Sequence, residues 1–344
     1  MPELQDKYVQ LDGRKLHFYI GGSGPALVLM HPSPHTGEML IPIAKELTSH
    51  YTVLCIDTPG YGKSDGFEIA PTSIEQYTDL LYQFFKKMGL QKPSLYGSAT
   101  GAQIAIRYAI NYPDDVGHIF LDNSAHFDDA LRSEIMKYYF PDLTPVENGD
   151  HLKTIWRIVS NMFQYFPWCL QTDEFKLDRS QLPKEFLHAI AIDYLKAGAT
   201  YHYAYKVAFE HEIGSNVQEI KAPTTIFNWT GSIIRPYVDA LLAFEFGSNI
   251  ETLTLPADQN ERMEIMCSHI NKKTNGAPFY LSEVVTITPE NDHEPYIPIS
   301  VVPSITMDGD YLLDAWNNIK KEKPSLSPTE IQDSMVSWFS NANA

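Results

Sequence analysis

Between Pro93 and Ile110 the chain must pass from strand to helix within a single residue. Pro93-Ser94-Leu95-Tyr96 reads as a short strand, and Ala102 to Ile110 reads as a helix with little bulk on its first turn. So abrupt a turn strains the backbone at its tip, and the residues two before and two after the tip must be tiny. Gly97 and Gly101 meet that need, which makes Ala99 the tip and leaves Ser98 beside it. A methyl group cannot attack a substrate, so chemistry at this turn has to begin elsewhere.

Strands alternate with helical segments around this turn, the pattern of an α/β layered domain. A hairpin-like start (Lys7 to Gly13, then Lys15 to Ile20) leads into Ala26-Leu27-Val28-Leu29-Met30, which is too apolar for a strand with one wet face and is expected to be central and parallel. Tyr51 to Ile56, His118 to Leu121, Thr224 to Trp229 and Ile250 to Leu255 are the further strands. One helix is bracketed by Thr72-x-x-Glu75 as a capping box and Gly89 as its stop, with Ile74, Tyr77, Leu80, Leu81, Phe84 and Met88 on one stripe. Residues 129–216 carry helical patterns and many aromatics but no convincing strand, and read as a helical cap inserted into a core formed by 1–128 and 217–344, with 275–344 as a C-terminal extension. That extension ends in a helix signed by Ser327 as cap, Pro328 at its first position and Glu330 three beyond the cap.

Composition excludes several classes of function. A formal charge of -17 argues against nucleic acid or anionic membrane as a partner, because both are bound by neutralising their charge with Lys and Arg. No run of eighteen apolar residues occurs, and Met1-Pro2-Glu3-Leu4-Gln5-Asp6 lacks the order of a signal peptide, so a cytoplasmic protein is expected. Cys55, Cys169 and Cys267 are too widely spaced for a metal or disulfide motif, and no histidine or carboxylate cluster has metal spacing. Gly21-Gly22-Ser23-Gly24 precedes a strand rather than a helix and does not cradle phosphate. No cofactor is expected. The partner is a small-molecule substrate, with homodimerisation left open.

The chain resembles the α/β-hydrolase superfamily over roughly residues 7 to 272. The resemblance is carried, in order, by His31-Pro32-Ser33-Pro34, by Asp57-Thr58-Pro59-Gly60-Tyr61-Gly62-Lys63-Ser64-Asp65, and by the Gly97-Ser98-Ala99-Thr100-Gly101 turn with Tyr112-Pro113-Asp114-Asp115-Val116 behind its helix. Asn148-Gly149-Asp150-His151-Leu152 with Trp156, then Tyr194 to Gly198, looks like a capped subgroup that carries a non-serine residue at the tip. The resemblance implies a mostly parallel central sheet flanked by helices, with an inserted helical cap and an active site at the carboxyl ends of the strands. It also makes Ala99 the nucleophile slot. The acid slot after Trp229 holds Thr230-Gly231-Ser232-Ile233-Ile234-Arg235, and the histidine slot after Leu255 holds Pro256 to Arg262, so both are vacant too.

Substitute parts are present. Asp122 ends the strand after the elbow helix, a place from which some relatives supply the acid, and His126 follows four residues on. If Phe279 to Thr288 is the last strand, His293 is the missing base. The backbone N-H groups of Ser33 and Thr100 form an expected oxyanion site, since Pro32 has no N-H to offer. His31 reads as a packed, loop-shaping residue. His35, His151, Trp156, Trp229 and Arg235 are candidate substrate contacts, weighed against ordinary core packing for the aromatics and a solvated surface state for the arginine.

Three functions are compatible with this pattern. The first is an enzyme acting on a small, largely apolar carbonyl compound between sheet and cap by general acid-base and oxyanion stabilisation, with the product of hydrolysis, elimination, isomerisation or cyclisation left open. The second is a serine esterase, lactonase or C-C hydrolase silenced by Ser→Ala at 99. The third is a binding protein that has kept the pocket and lost the reaction.

Overall fold

The computed structural model describes residues 3–281 and 304–342. Eight strands form one sheet: β1 (Gln5–Leu11), β2 (Arg14–Gly22), β3 (Ala26–Met30), β4 (Thr52–Ile56), β5 (Ser94–Ser98), β6 (Ile119–Asp122), β7 (Thr224–Trp229) and β8 (Ile250–Leu255). Their order is β1-β2-β4-β3-β5-β6-β7-β8, antiparallel at β1-β2 and β2-β4 and parallel from β4 onward. The all-apolar β3 lies inside the sheet, between β4 and β5, as a strand buried on both faces must.

The sheet belongs to the first of two compact units, which comprises the described residues to 136 and from 202 to 281. Its helices are α1 (Ile41–Leu47), α2 (Glu75–Met88), α3 (Thr100–Asn111), most of α4 (Asp129–Tyr138), α7 (His202–His211), α8 (Gly214–Gln218), α9 (Arg235–Leu242) and α10 (Gln259–Lys272). Period-two alternation sorts the strand residues between faces. Leu27, Leu29, Val53, Cys55, Tyr96, Phe120, Phe227 and Leu255 share one buried cluster with Ile43 and Leu47 of α1 and Met266, Cys267 and Ile270 of α10. By the same alternation Ser98, Asp122 and Trp229, each two residues further on, line the carboxyl edge of that face. Helix α3 packs against β3, β5 and β6 and neighbours α2.

The second unit comprises 137–201 and the C-terminal residues from 304, built from α5 (Asp150–Met162), α6 (Lys184–Ala197), α11 (Asp310–Glu322) and α12 (Pro328–Ala342). Its boundaries differ from the expected cap of 129–216, and the C-terminal helices group with it rather than with the core. The stripe Tyr311, Leu312, Ala315, Trp316 and Ile319 of α11 finds its apolar counterpart on α5 and α12. Trp156 donates to the Met307 carbonyl at 2.9 Å, and His188 is hydrogen-bonded to the Tyr311 hydroxyl at 2.6 Å.

Local signals held unevenly. Gly89 ends α2 with φ 74°, and Ser327 exchanges hydrogen bonds with Glu330 at the head of α12. At α2, however, the Thr72 amide bonds the Gln76 side chain and not Glu75, because the helix begins two residues later than a cap at Thr72 requires. The expected strand from Phe279 is irregular through 281 and thereafter, like His293, lies outside the described residues.

Candidate active site

Ala99 has φ 47° and ψ -108°, a conformation few L-residues adopt, and sits between the end of β5 and the start of α3. Its neighbours are the reason the turn closes. A side chain at Gly97 would stand 2.2 Å from the Gly101 carbonyl oxygen, and one at Gly101 would stand 2.2 Å from that of Met30. The Ala99 N-H donates to the Asp122 carbonyl at 3.0 Å, and its own carbonyl accepts from Gln103 N-H at 3.1 Å. Ser98 is the last residue of β5, in register with Asp122, and lies off the apex on the α10 face.

Ser33 and Thr100, the residues expected to donate to an oxyanion, are neighbours. Ser33 and Thr100 are both buried, and the Ser33 N-H points at the Thr100 hydroxyl at 3.4 Å. Thr100 opens α3, where backbone N-H groups have no helical acceptor. His31, read as loop-shaping, has both ring nitrogens engaged: Nε2 accepts from Thr58 N-H at 2.9 Å and Nδ1 lies 3.0 Å from the Pro32 carbonyl. His35 is half-buried and closes the same loop through its N-H to Pro32.

Asp122 does not stand as the free acid expected of it. One carboxylate oxygen accepts from both the Tyr96 hydroxyl, at 2.7 Å, and the Arg262 guanidinium, at 2.5 Å, and all three residues are buried. Arg262 comes from the first turn of α10, and its guanidinium also lies 4.5 Å from the centre of the Trp229 ring. Burial opposes the charge on Arg262, but the Asp122 carboxylate and Tyr96 outweigh it and hold the guanidinium pKa above its ordinary value. An arginine therefore occupies the region after β8 where the resemblance calls for an imidazole, and no arginine can take up a proton.

His126 is half-buried, with its ring edge-on to Phe244 at 4.9 Å and its Nδ1 accepting from Gly214 N-H at 3.2 Å. That acceptor role places the proton of the neutral ring on Nε2. His126, expected as a base, thus has its Nδ1 occupied as an acceptor. His151 and Trp156, expected as substrate contacts, are buried in the second unit, His151 accepting from Val146 N-H and packed on Trp316. Arg235 is half-exposed and pairs with Asp239 one helical turn on at 3.6 Å.

Sequence reasoning missed a buried network behind the elbow. His211 Nδ1 bonds the Gln103 side-chain oxygen at 2.9 Å, and its Nε2 accepts from Arg107 at 3.0 Å. Burial, reinforced by the Arg107 charge, lowers the His211 pKa to about 4. Beside it Glu212 accepts from Ala125 N-H at 3.0 Å and from Gln103, and burial raises its carboxyl to about 8. Only the Gln103 amide at i+4 from Ala99 could have hinted at this in the sequence. Among the described residues no group of three His, Cys, Asp or Glu could hold a metal ion, and no helix is long and apolar enough to cross a membrane.

Comparison with known proteins agrees with this architecture. A family model for the alpha/beta hydrolase fold matches residues 25–161. An uncharacterised hydrolase, YraK, of Bacillus subtilis (strain 168) is 23% identical over 154 residues, 44% of this chain and 56% of its own length. A fluoroacetate dehalogenase of a Burkholderia species is 34% identical over 117 residues, 33% of this chain and 38% of its own length. The matches thus span about half or less of these curated relatives. Among solved structures, epoxide hydrolase A from Mycobacterium thermoresistibile superposes with a TM-score of 0.59 at 18% identity, over 81% of this chain and all of that one. With its matching sheet and elbow, and a family model over residues 25–161, the chain has the α/β-hydrolase fold.

Proposed function

We propose that this protein is an enzyme that activates a small, largely apolar carbonyl compound without forming an acyl-enzyme. One observation carries the reading: the turn keeps its strained backbone at a residue that has no reactive atom. Strain of this kind costs on the order of 1–3 kcal/mol and persists where the surroundings impose it for a use. The use that remains is orientation of the first-turn N-H groups of α3 toward negative charge on a substrate oxygen.

In the proposed step a proton leaves the carbon next to the carbonyl and passes to a ring nitrogen of His35. The C-H electron pair moves onto the carbonyl oxygen as an enolate, which Thr100 N-H and the Nε2-H of His126 stabilise. Return of the proton to the same or another carbon gives exchange or isomerisation; loss of a group from the neighbouring carbon gives elimination. Arg262 stands in the region after β8 where a serine hydrolase of this fold would carry its histidine and cannot accept a proton, which supports a route that does not begin at residue 99.

The test is α-proton exchange. Small cyclic ketones and 1,3-diketones incubated with the protein in D2O should lose their α-proton NMR signals at least about tenfold faster than in buffer, with the gain reduced in His35→Ala and His126→Ala. Binding of these compounds without any exchange would remove the proposal. A second reading, a ligand-binding protein without turnover, is favoured by the same fixed Asp122-Arg262 pair, and that outcome would select it.

A further inference from the structure

We propose that Glu212 is the positioning residue for the His126 imidazole, tying its segment to the first turn of the elbow helix so that Nε2-H is presented to the carbonyl oxygen. The inference deepens the functional reading above and rests on it. Glu212 follows directly on α7, and its side chain is buried with no cation bonded to its carboxyl among the described residues. Its carboxyl accepts from the Ala125 N-H at 3.0 Å, and its backbone carbonyl accepts from Phe127 N-H at 3.4 Å. These two residues flank His126, whose own N-H donates to the Tyr237 carbonyl at 3.0 Å. Three successive amides are therefore held by groups from outside their segment, two of them on Glu212.

The other end of the tie is the elbow. Gln103 donates its amide N-H to the Glu212 carboxyl because its oxygen is already committed to His211 Nδ1-H. That commitment is forced in turn: Arg107 donates to His211 Nε2, so the ring proton must be on Nδ1. Arg107 is itself paired with Glu75 of α2 at 3.4 Å. The Gln103 backbone N-H ends the path on the Ala99 carbonyl at 3.1 Å. The charged and titratable groups joined to this path are Arg107, which is shared by Glu75 and His211, and His211, which burial keeps neutral. Burial without a bonded cation keeps Glu212 in its acid form at neutral pH, with its pKa raised to about 8. Ionisation would put a negative charge one peptide from His126 and draw a proton onto Nδ1, breaking the Gly214 bond that orients the ring.

The experiment follows the ring nitrogens of His126 by 15N NMR in full-length protein labelled at histidine, the signals being assigned by their loss in His126→Gln. The wild type should show an unprotonated Nδ1 and a protonated Nε2 at pH 7, and both signals should move between pH 7 and 9. In Glu212→Gln the pH 7 pattern should persist and that movement should disappear. In Glu212→Ala the two tautomers should mix, and kcat for α-proton exchange should fall about tenfold with KM changed less than twofold, Gln rescuing the loss. His126 signals that stay fixed from pH 7 to 9 in the wild type would overturn the proposal, a result that needs no variant to fold. The ring signals do not depend on turnover, so their response in the absence of α-proton exchange would sink the reaction and leave the positioning role standing.

Discussion

Ala99 holds a backbone conformation that its own side chain disfavours, and the cost is measurable. Glycine adopts φ 47° freely, so Ala99→Gly should raise stability by about 1 kcal/mol, seen as a higher urea midpoint at unchanged m-value. A lower midpoint would mean that the methyl contributes packing larger than the strain. Ala99→Ser addresses chemistry instead. With Arg262 in the region of the histidine, p-nitrophenyl acetate and butyrate should be hydrolysed at the background rate by this variant. Clear turnover would restore the reading of a serine hydrolase silenced at one position. Ala99 was legible in the sequence because the glycines on either side are local, and local spacing survives folding. The state of Asp122 was not. Its partner Arg262 lies 140 residues away, and nothing in the helix Gln259–Lys272 marks which of its residues turns inward.

Helix α10 is attached to the sheet by two unlike forces. Met266, Cys267 and Ile270 bury apolar surface against the strands, while Arg262 at its head is fixed by charge to the end of β6. Removing one partner of a buried ion pair leaves the other uncompensated, so Arg262→Met alone should cost about 3–5 kcal/mol. The double variant Arg262→Met with Asp122→Asn should recover most of that loss, since an amide can still accept from Tyr96 without carrying charge. Thermal or urea unfolding of the three variants measures the coupling, and additive losses would show that the pair contributes nothing specific. Strands were the most readable elements: Thr224–Trp229 and Ile250–Leu255 coincide with their apolar and β-branched runs. Element ownership was less readable. The aromatic stripe of α11 matches any apolar face equally well on paper, and only packing assigns it to α5 and α12. Glu212 was hidden in the same way, as one more polar residue near the end of a helical stretch.

For the molecule as a whole, buried titratable groups set a stability optimum. His118, His151, His188 and His211 are all lowered to about 4, in each case chiefly by burial. Below the ordinary histidine value of 6.5 the unfolded chain binds protons that these folded histidines refuse, so stability must fall as pH drops from 6.5 toward 4. Asp57 adds to the acid side. Burial opposes its charge, but the hydrogen bond and charge of His17, with His31 and the Lys63 amide, outweigh this and keep its pKa below the ordinary value. Its contribution is present above that ordinary value and lost as pH falls through the folded one. Glu212 works in the opposite sense. Raised from 4.5 to about 8, it keeps a proton in the folded state that the unfolded chain releases, so between these values its contribution declines as pH rises. From 4.5 to 6.5 the four histidines outweigh the one carboxyl. Above 6.5 Glu212 acts alone among these groups, with a slope of about 1.4 kcal/mol per pH unit where it remains fully protonated. Stability from urea unfolding should therefore peak near pH 6.5, fall steeply on the acid side and gently up to pH 8, and Glu212→Gln should flatten only the gentle limb. A wild-type curve that continues to rise from pH 6.5 to 8 would show that Glu212 is already ionised in the folded protein.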